Sequence, residues 1–500
     1  MAIINGRGRV GIRRPSAVLS IVTSGLKLYL DAGNTNSYTG SGTAWFDISG
    51  NGNNGTLIGS GGAGYPSYKS ENGGSIAFDG SDDYLSLPAN SSTKPTNALT
   101  VGCWVRWTQF KSGSSGFPVI GNTNGSLQGF IIYQSTGAPY TGVKAGITTA
   151  AGLNVIESPR TLSTNKWYYL TLSYDNVNIY LYINGTLVVS SPLTGNIVYG
   201  TTVFQLATAA TGLFSYFNGQ ISNVQLYDRS LSVSEITQNY NATLSRFYQV
   251  VSDSDAQAFV VAAGLTSSIQ ASAVNALVTS LKSAGIWTKM KAIYPFVGGS
   301  AASHKWNLKD PRDDNAAFRL TFGGTGWVHS STGAKPGGVS DFANTFFVPN
   351  SNLQLNSGHL STYLRNHTTK VSVDIGSQAA GNSFCTIVTA WSDGKTYYSF
   401  NSVDEGIAYT TTNKFHIVSR TASNAIKLYR NNAITVGTTV TNIKNVQNIY
   451  IGALNNSGGS NYYSNRETAF ASIGDGLTDA EASSLYDAVQ AYQTALGRQV

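Results

Sequence analysis

The stretch FNGQISNVQLYDRSLSVSEITQNYNA, Phe217 to Ala242, decides the fold. Its first half alternates like a strand and its second half opens like a helix. Ser232 is placed to cap that helix, Glu235 to fold back on the cap's own amide, and Leu231 to pack on Ile236 one turn later. The same grammar returns near the C-terminus: Leu477, Thr478, Glu481 and Ala482 stand 246 residues after Leu231, Ser232, Glu235 and Ile236, behind another apolar run, FASIGDG. One ending used twice predicts two modules.

Working outward, WYYLTLSYDNVNIYLYINGTLVV, Trp167 to Val189, spells three antiparallel strands. Leu170, Leu172 and Tyr174 share one face; an Asp175-Asn176 turn follows; Ile179, Leu181 and Ile183 share the next face, and Asn184-Gly185 suits a type I′ turn. FHIVSRTASNAIKLYRNNAITV, from Phe415, matches it, with Ile426, Leu428, Tyr429 and Asn431 lying 247 residues after Ile179, Leu181, Tyr182 and Asn184. A nearly constant offset of this kind marks a tandem of related domains. LKLYL at Leu26 to Leu30, SIAFDGSDDYLSL at Ser75 to Leu87 and LTVGCWVRW at Leu99 to Trp107 also alternate at period two. Short alternating strands punctuated by turn residues argue two-sheet sandwiches. The expected fold is mainly β: a basic N-terminal arm over 1–24, a sandwich over 25–246, a helical linker over 247–284 and a second sandwich over 285–500. In the linker, Ser254 to Lys282 turns Ala-rich with a break at Gly264, and Gln257 and Gln270 each follow a serine by three residues. This predicts a helical hairpin acting as a rigid spacer, whose Phe259, Val260, Val274, Leu277 and Leu281 pack on a neighbour.

Composition narrows the function classes. The 500 residues are 41% hydrophobic and only 11% charged, with 54 glycines, as suits packed cores joined by tight turns. The net charge is +7, and Arg7, Arg9, Arg13 and Arg14 supply four of those positives. The remainder is nearly neutral, which argues against a nucleic-acid face and for a local arm that docks on an acidic partner. Cys103 and Cys385 sit in apolar strand-like runs and read as buried free thiols. No run approaches the ~20 apolar residues that cross a bilayer, and the apolar part of Arg13 to Val22 is too short for an export signal. A soluble chain without membrane insertion is expected.

Several of these motifs carry a family resemblance. LKLYLDAGN, WFDISGNGNNGTL, AFDGSDDYLSL, KWYYLTLSYDNVNIYLYINGTLV and FNGQISNVQLYDRSLSVSEI together resemble a laminin-G or concanavalin A-like lectin/glucanase domain. The resemblance implies jelly-roll sandwiches that serve as glycan-binding or adhesive modules more often than as enzymes. In the second module, GIWTKMKAIYPFVGG at Gly285 to Gly299 and HKWNLKDPRDDNAAFRLTF at His304 to Phe322 resemble segments of structural proteins of tailed bacteriophages, crAss-like phages among them. The N-terminal AIINGRGRVGIRRP is similar to a short docking arm of a phage appendage. These resemblances imply a non-enzymatic virion protein, a head fibre or capsid decoration. Arg7, Arg9, Arg13 and Arg14 would anchor it to capsid or other virion proteins, and it would be homo-oligomeric, with contact to host-surface polysaccharide. A tail-fibre adhesin, a secreted bacterial glycan-binding protein and a polysaccharide depolymerase stay open as alternatives.

Candidate chemistry is sparse. Asp79, Asp82 and Asp83 crowd one loop, with Asp31 and Asp47 in loops placed to approach it. Such oxygen donors suit Ca²⁺, which takes six to eight of them; capping of local turn amides is the rival role. The second module shows Phe342-Ala343-Asn344-Thr345-Phe346-Phe347 in the comparable region and lacks the trio. Retaining glucanases hold two carboxyls ~5 Å apart, whereas the six glutamates, Glu71, Glu157, Glu235, Glu405, Glu467 and Glu481, are scattered. Glu405 alone has an acidic neighbour, Asp404, which a strand would turn to the opposite face. All five histidines lie in the second module without metal spacing. No catalytic residue and no cofactor beyond calcium is assigned. Tyr38, Trp45, Tyr65 and Tyr68, in Gly/Ser/Asn-rich loops, are the glycan-stacking candidates, with core packing as their alternative role.

Overall fold

The computed structural model describes residues 20–59, 64–88, 90–112, 116–123, 128–135, 141–201, 203–209, 214–409, 415–437 and 443–500. Arg7, Arg9, Arg13 and Arg14 lie outside the described residues. The chain divides into two compact units that meet in sequence at Phe247 and Tyr248.

In the first unit the alternation of Leu99–Trp107 does what period two dictates. Leu99, Val101, Cys103, Val105 and Trp107 enter a core with Leu170, Leu172, Tyr174, Ile179, Leu181 and Ile183. Trp104 points the other way, where its indole N–H donates to Thr243 Oγ1 at 2.7 Å and its ring stacks on Phe247 with centroids 4.2 Å apart. Helix α1 (Val233–Leu244) thereby closes the outer face of an eight-stranded sheet. The strand order is Thr186–Pro192, Asn178–Ile183, Trp167–Tyr174, Leu99–Trp107, Asn218–Tyr227, Ser75–Asp79 and Ser67–Lys69, with Leu26–Asp31 also on Asn218–Tyr227. A second eight-stranded sheet, running from Gly152–Glu157 to Ala44–Trp45, contributes Ile120, Phe130, Ile132, Ala145 and Ile147 to the same core.

The second unit repeats this order: Ala433–Val436, Ala425–Arg430, Phe415–Ala422, Gly358–Leu364, Thr468–Gly474, Gly333–Lys335 and Val328–Ser330, with Met290–Tyr294 also on Thr468–Gly474. The registers agree as well. Leu172 faces Leu181 and Val418 faces Leu428; Leu28 faces Leu226 and Ala292 faces Ile473. The hairpin turn of the second unit is one residue longer, because Arg420 pairs Ile426 across a bulged hairpin end where Tyr174 pairs Ile179, and the segment that leads into the capping box is one residue shorter. The fold is therefore mainly β, a tandem of jelly-roll sandwiches. Both capping boxes form, Ser232 with Glu235 and Thr478 with Glu481. Leu231 and Ile236 share a small cluster with Tyr182 and Tyr227. The type I′ turn has φ of 53° at Asn184 and 73° at Gly185, and Asn431 and Asn432 repeat it at 44° and 69°.

The helical hairpin exists but is not a spacer between sandwiches. Helices α2 (Ser254–Ala263) and α3 (Ser268–Ser283) belong to the second compact unit. Their Phe259, Val260, Val274, Leu277 and Leu281 share one core with Leu485, Val489 and Tyr492 of the C-terminal helix Asp479–Ala495. Tyr363, Phe415 and Ile417 of the sheet beneath complete it. An apolar helix face must be buried against something, and here the sheet's outer face and its closing helix supply the partner. The cap of α2 is Asp253, one residue before the expected serine, accepting from the amides of Asp255 and Ala256. Lys282 Nζ reaches Asp253 at 2.7 Å and ties the two helices together. Cys103 and Cys385 are buried free thiols. Among the described residues no helix is long and apolar enough to cross a membrane.

Candidate functional site

Of the four aromatic candidates, Trp45 is fully buried and Tyr38 is 3% exposed. Their rings pack edge to face at 6.3 Å, and Tyr68 lies against Tyr38 at 5.6 Å. Tyr38, Trp45 and the half-buried Tyr68 are thus part of the core wall, because the Asn34 to Trp45 loop folds inward. Phe46 N–H donates to the Ser37 carbonyl at 2.7 Å, and the Ser37 hydroxyl donates to the Phe46 carbonyl at 2.6 Å. Tyr38 and Trp45 cannot offer a face to a sugar. Tyr65 is different, at 61% exposed.

The acidic trio sits on the turn joining Ser75–Asp79 of one sheet to Tyr84–Ser86 of the other. Carboxylate oxygens of Asp79, Asp82 and Asp83 lie within 4.8 Å of one another. Asp79 Oδ1 accepts from Ser81 N–H at 2.7 Å, and Asp83 Oδ2 accepts from Asp79 N–H at 3.1 Å. Asp83 Oδ1 is buried with no hydrogen-bond partner. Burial pushes the Asp83 carboxyl up to about 6, the Asp79 amide bond pulls it down, and the charges of Asp79 and Asp82 add to the rise. Lys111 Nζ donates to the Gly80 carbonyl in the same turn. Tyr65 is close by: a Cβ built on Gly59 would stand 2.8 Å from Asp83 Oδ1 and 3.1 Å from Tyr65 Cα. Asp31 and Asp47 do not join the trio. Asp31 pairs with Arg246 at 2.7 Å, and Asp47 accepts from the amides of Tyr29, Ser49 and Asn53.

The second sandwich explains part of this arrangement. Its equivalent turn joins Gly333–Lys335 to Phe342–Asn344, and Asp341 stands there directly before the strand, as Asp83 does. Asp341 Oδ2 accepts from Gly337 N–H at 2.8 Å, the same four-residue step back, while its Oδ1 accepts from Gly326 N–H at 2.7 Å. The comparable region therefore keeps one acid that clamps the turn. What distinguishes the first sandwich is Asp79 and Asp82, where the second has Gly337 and Ser340.

Five of the six glutamates, all but the exposed Glu71, are tied into the fold. Glu157 bonds Ser135 and lies 3.4 Å from Lys144 Nζ, Glu405 accepts from Tyr398 at 3.2 Å, and Glu467 is bonded by Thr332. Glu235 and Glu481 complete the two capping boxes, with Arg229 and Lys289 as ion partners. Asp404 accepts from Thr386 and Ser399. Thr386 and Ser399 stand on the opposite face from Tyr398, the partner of Glu405, so the two neighbouring acids diverge. His416 is a buried strand residue, and Arg312 pairs locally with Asp310 and Asp314.

The sequence pattern does not single out a second aromatic group, Trp391, Tyr397 and Tyr462 of the second unit. Trp391 and Tyr462 are far apart in sequence and meet with centroids 5.6 Å apart; Tyr397 stands edge-on to Trp391 at 6.2 Å. They are united by the parallel pairing of Gly376–Gln378 with Leu454–Asn456, a connection that no period in the sequence announces.

The first sandwich is a concanavalin A-like, laminin G-like domain: residues 79–237 match the family model described as concanavalin A-like lectin/glucanases superfamily. Among solved structures, domain 4 of AbnA, an extracellular arabinanase of Geobacillus stearothermophilus in complex with arabinotriose, is similar at 20% identity. That match covers 43% of this chain and 98% of that one, with a TM-score of 0.34. The binding domain of paraclostridial mosquitocidal protein 1 is similar at 10% identity over 82% of this chain and 76% of that one, TM-score 0.34. Trypanosoma rangeli sialidase with sialic acid is similar at 15% identity; the match takes in 44% of this chain and 33% of the sialidase, TM-score 0.34. No curated protein sequence matches the chain.

Proposed function

We propose that the chain is a non-catalytic glycan-contacting structural protein, a head fibre or capsid decoration of a tailed phage held in the particle by Arg7, Arg9, Arg13 and Arg14. The observation that carries the binding half is the rim of the first sandwich, where the backbone of the exposed Tyr65 passes close to Asp83 of the acidic trio. A ring face for sugar C–H groups beside hydroxyl-binding oxygens is the chemistry of lectin sites. The engagement of five of the six glutamates in caps, ion pairs and cross-strand bonds supports binding without hydrolysis. The virion half is supported by the resemblance of Gly285 to Phe322 and of the arginine arm to phage structural proteins.

Calcium at Asp79, Asp82 and Asp83 belongs to the same proposal. A divalent ion would satisfy the open Asp83 oxygen and relieve three crowded carboxylates, with Lys111 at the Gly80 carbonyl as the opposing charge. One experiment addresses rim and ion together: glycan-array binding of the full chain with 2 mM CaCl₂ or with EDTA, roughly the regime of weak extracellular sites. Binding is expected in calcium, at least tenfold weaker in EDTA and in Asp82→Asn, and a calcium-free signal of equal strength removes the ion. Silence of the array in both arms overturns the glycan reading. Deleting residues 1–15 should abolish incorporation into particles, and normal occupancy of the truncated protein would sink the anchoring role.

A further inference from the structure

We infer that the second sandwich carries its own sugar subsite, formed by Trp391, Tyr397 and Tyr462, and that it takes a neutral rather than an acidic glycan. The inference rests on the glycan-contacting reading and places a binding surface where neither the trio nor Tyr65 has a counterpart role. Trp391 lies over a small apolar patch of Val373, Val388 and Leu454, so its inner face is already packed. Tyr397 and Trp391 are half-buried while Tyr462 is 43% exposed, which leaves a stepped aromatic surface open to solvent.

Three observations separate this group from incidental surface rings. First, Tyr462 has φ of 53°, a region that bulky side chains rarely enter. The strain is held by its surroundings: Val373 N–H donates to the Tyr462 carbonyl at 2.8 Å, Ser464 N–H to the Gly452 carbonyl at 2.8 Å, and Tyr463 OH to the Ser460 carbonyl at 2.7 Å. A glycine or asparagine would sit there at lower cost, yet the position holds an exposed ring. Second, Tyr397 is fixed from outside the core. Its hydroxyl donates to Asp393 Oδ2 at 2.6 Å, and Asp393 Oδ1 accepts from Lys395 N–H at 3.0 Å within the turn that begins at Trp391. Third, the residue next to Tyr462 leaves a buried acceptor unused, since Asn461 Oδ1 has no hydrogen-bond partner. Rings for C–H stacking beside a carboxylate that accepts from hydroxyls are complementary to a hexose.

Charge sets the class. Asp393 accepts from the Tyr397 hydroxyl and so sets a carboxylate at the edge of the rings. A carboxylate there disfavours a uronate or a sialate, while it accepts well from neutral sugar hydroxyls.

The test uses the full chain in isothermal titration with cello-, malto-, manno- and xylohexaose as neutral probes and hexagalacturonate and sialyllactose as acidic ones. Variants are Trp391→Ala, Tyr462→Gly and, as a control in the other sandwich, Val177→Ala, at an exposed turn residue outside the acidic rim. At least one neutral hexaose should bind the native chain, at least tenfold more weakly to Trp391→Ala and Tyr462→Gly, and equally to Val177→Ala. Because glycine adopts positive φ freely, Tyr462→Gly should melt at or above the native temperature, which separates a lost ring from a lost fold. Neutral-sugar binding that survives both variants overturns the subsite and leaves the glycan reading standing. Acidic-sugar binding that Trp391→Ala removes overturns the stated class. Binding of no probe, together with a silent array, overturns both readings.

Discussion

On lowering the pH from 7 to 4.5, the second sandwich loses several kcal/mol of stability while the first keeps its own. The five histidines all lie beyond residue 300, and three of them, His304, His359 and His416, are buried. Burial holds His304 down to about 3, with the nearby His329 and Arg498 adding to the effect. Burial also holds His416 to about 3, against the pull of Asp374 and with help from His367, Arg430 and Arg466. His359 is held to about 4 by burial, partly offset by its bond to the Asp475 carbonyl. An unfolded histidine takes its proton near 6.5. Between that value and the folded one, the unfolded chain binds more protons, so stability is complete above pH 6.5 and falls as the pH drops toward 3 to 4. Each histidine contributes about 1.4 kcal/mol per pH unit across that window. Three together reach about 8 kcal/mol at pH 4.5, comparable with the whole stability of a domain. Asp404, whose carboxyl burial raises, works the other way but as a single group. Hydrogen exchange of the full chain at pH 7 and 4.5 checks this. Protection should fall in peptides after Tyr248 and hold before Phe247, and an equal loss in both would refute it.

The second large effect is at the Arg466 and Asp374 pair, which is wholly removed from solvent with Nη1 and Oδ1 2.8 Å apart. Its satisfaction is complete enough to repay burial. Asp374 also accepts from Thr389 N–H and Oγ1, each at 2.8 Å, and from Ser464 Oγ at 2.9 Å. Arg466 donates to the carbonyls of Thr368 and Ala390. Removing one partner strands a buried charge, so Arg466→Met and Asp374→Leu alone should each cost about 3–5 kcal/mol, whereas the double variant should recover most of that loss. Urea unfolding followed by near-ultraviolet circular dichroism measures it; equal losses in the single and double variants would show that the charges are not coupled. Because the pair joins Ala390, Ser464 and Thr368, the single variants also loosen the segments that carry Trp391 and Tyr462.

What the sequence made legible was local. Capping boxes, the Asn184-Gly185 turn and the inward and outward faces of Leu99–Trp107 are each written within about a dozen residues, and the constant offset carries them to the second sandwich. Loop residues were harder, because their burial depends on where a loop folds. Tyr38 and Trp45 lie among glycines and serines and still become core. The helical hairpin was visible as helices but not as part of the second unit, since its partner helix begins at Asp479. Asp341 was missed as the counterpart of Asp83 because strand register, not similarity of neighbouring residues, aligns them. Trp391 and Tyr462 meet through a pairing of strands about 80 residues apart, beyond the reach of any periodicity.

The pairing of Leu26–Asp31 with Asn218–Tyr227 has a consequence for synthesis. Strand Leu26–Asp31 finds its partner only when nearly the whole sandwich has followed it from the ribosome, and the central strand Leu99–Trp107 waits for the same late arrival. Its apolar edge stays unmatched meanwhile, in a chain growing at about 5–20 residues per second. Closure by α1 comes last, so for roughly ten seconds or more at those rates the nascent first sandwich exposes apolar surface that its finished form buries.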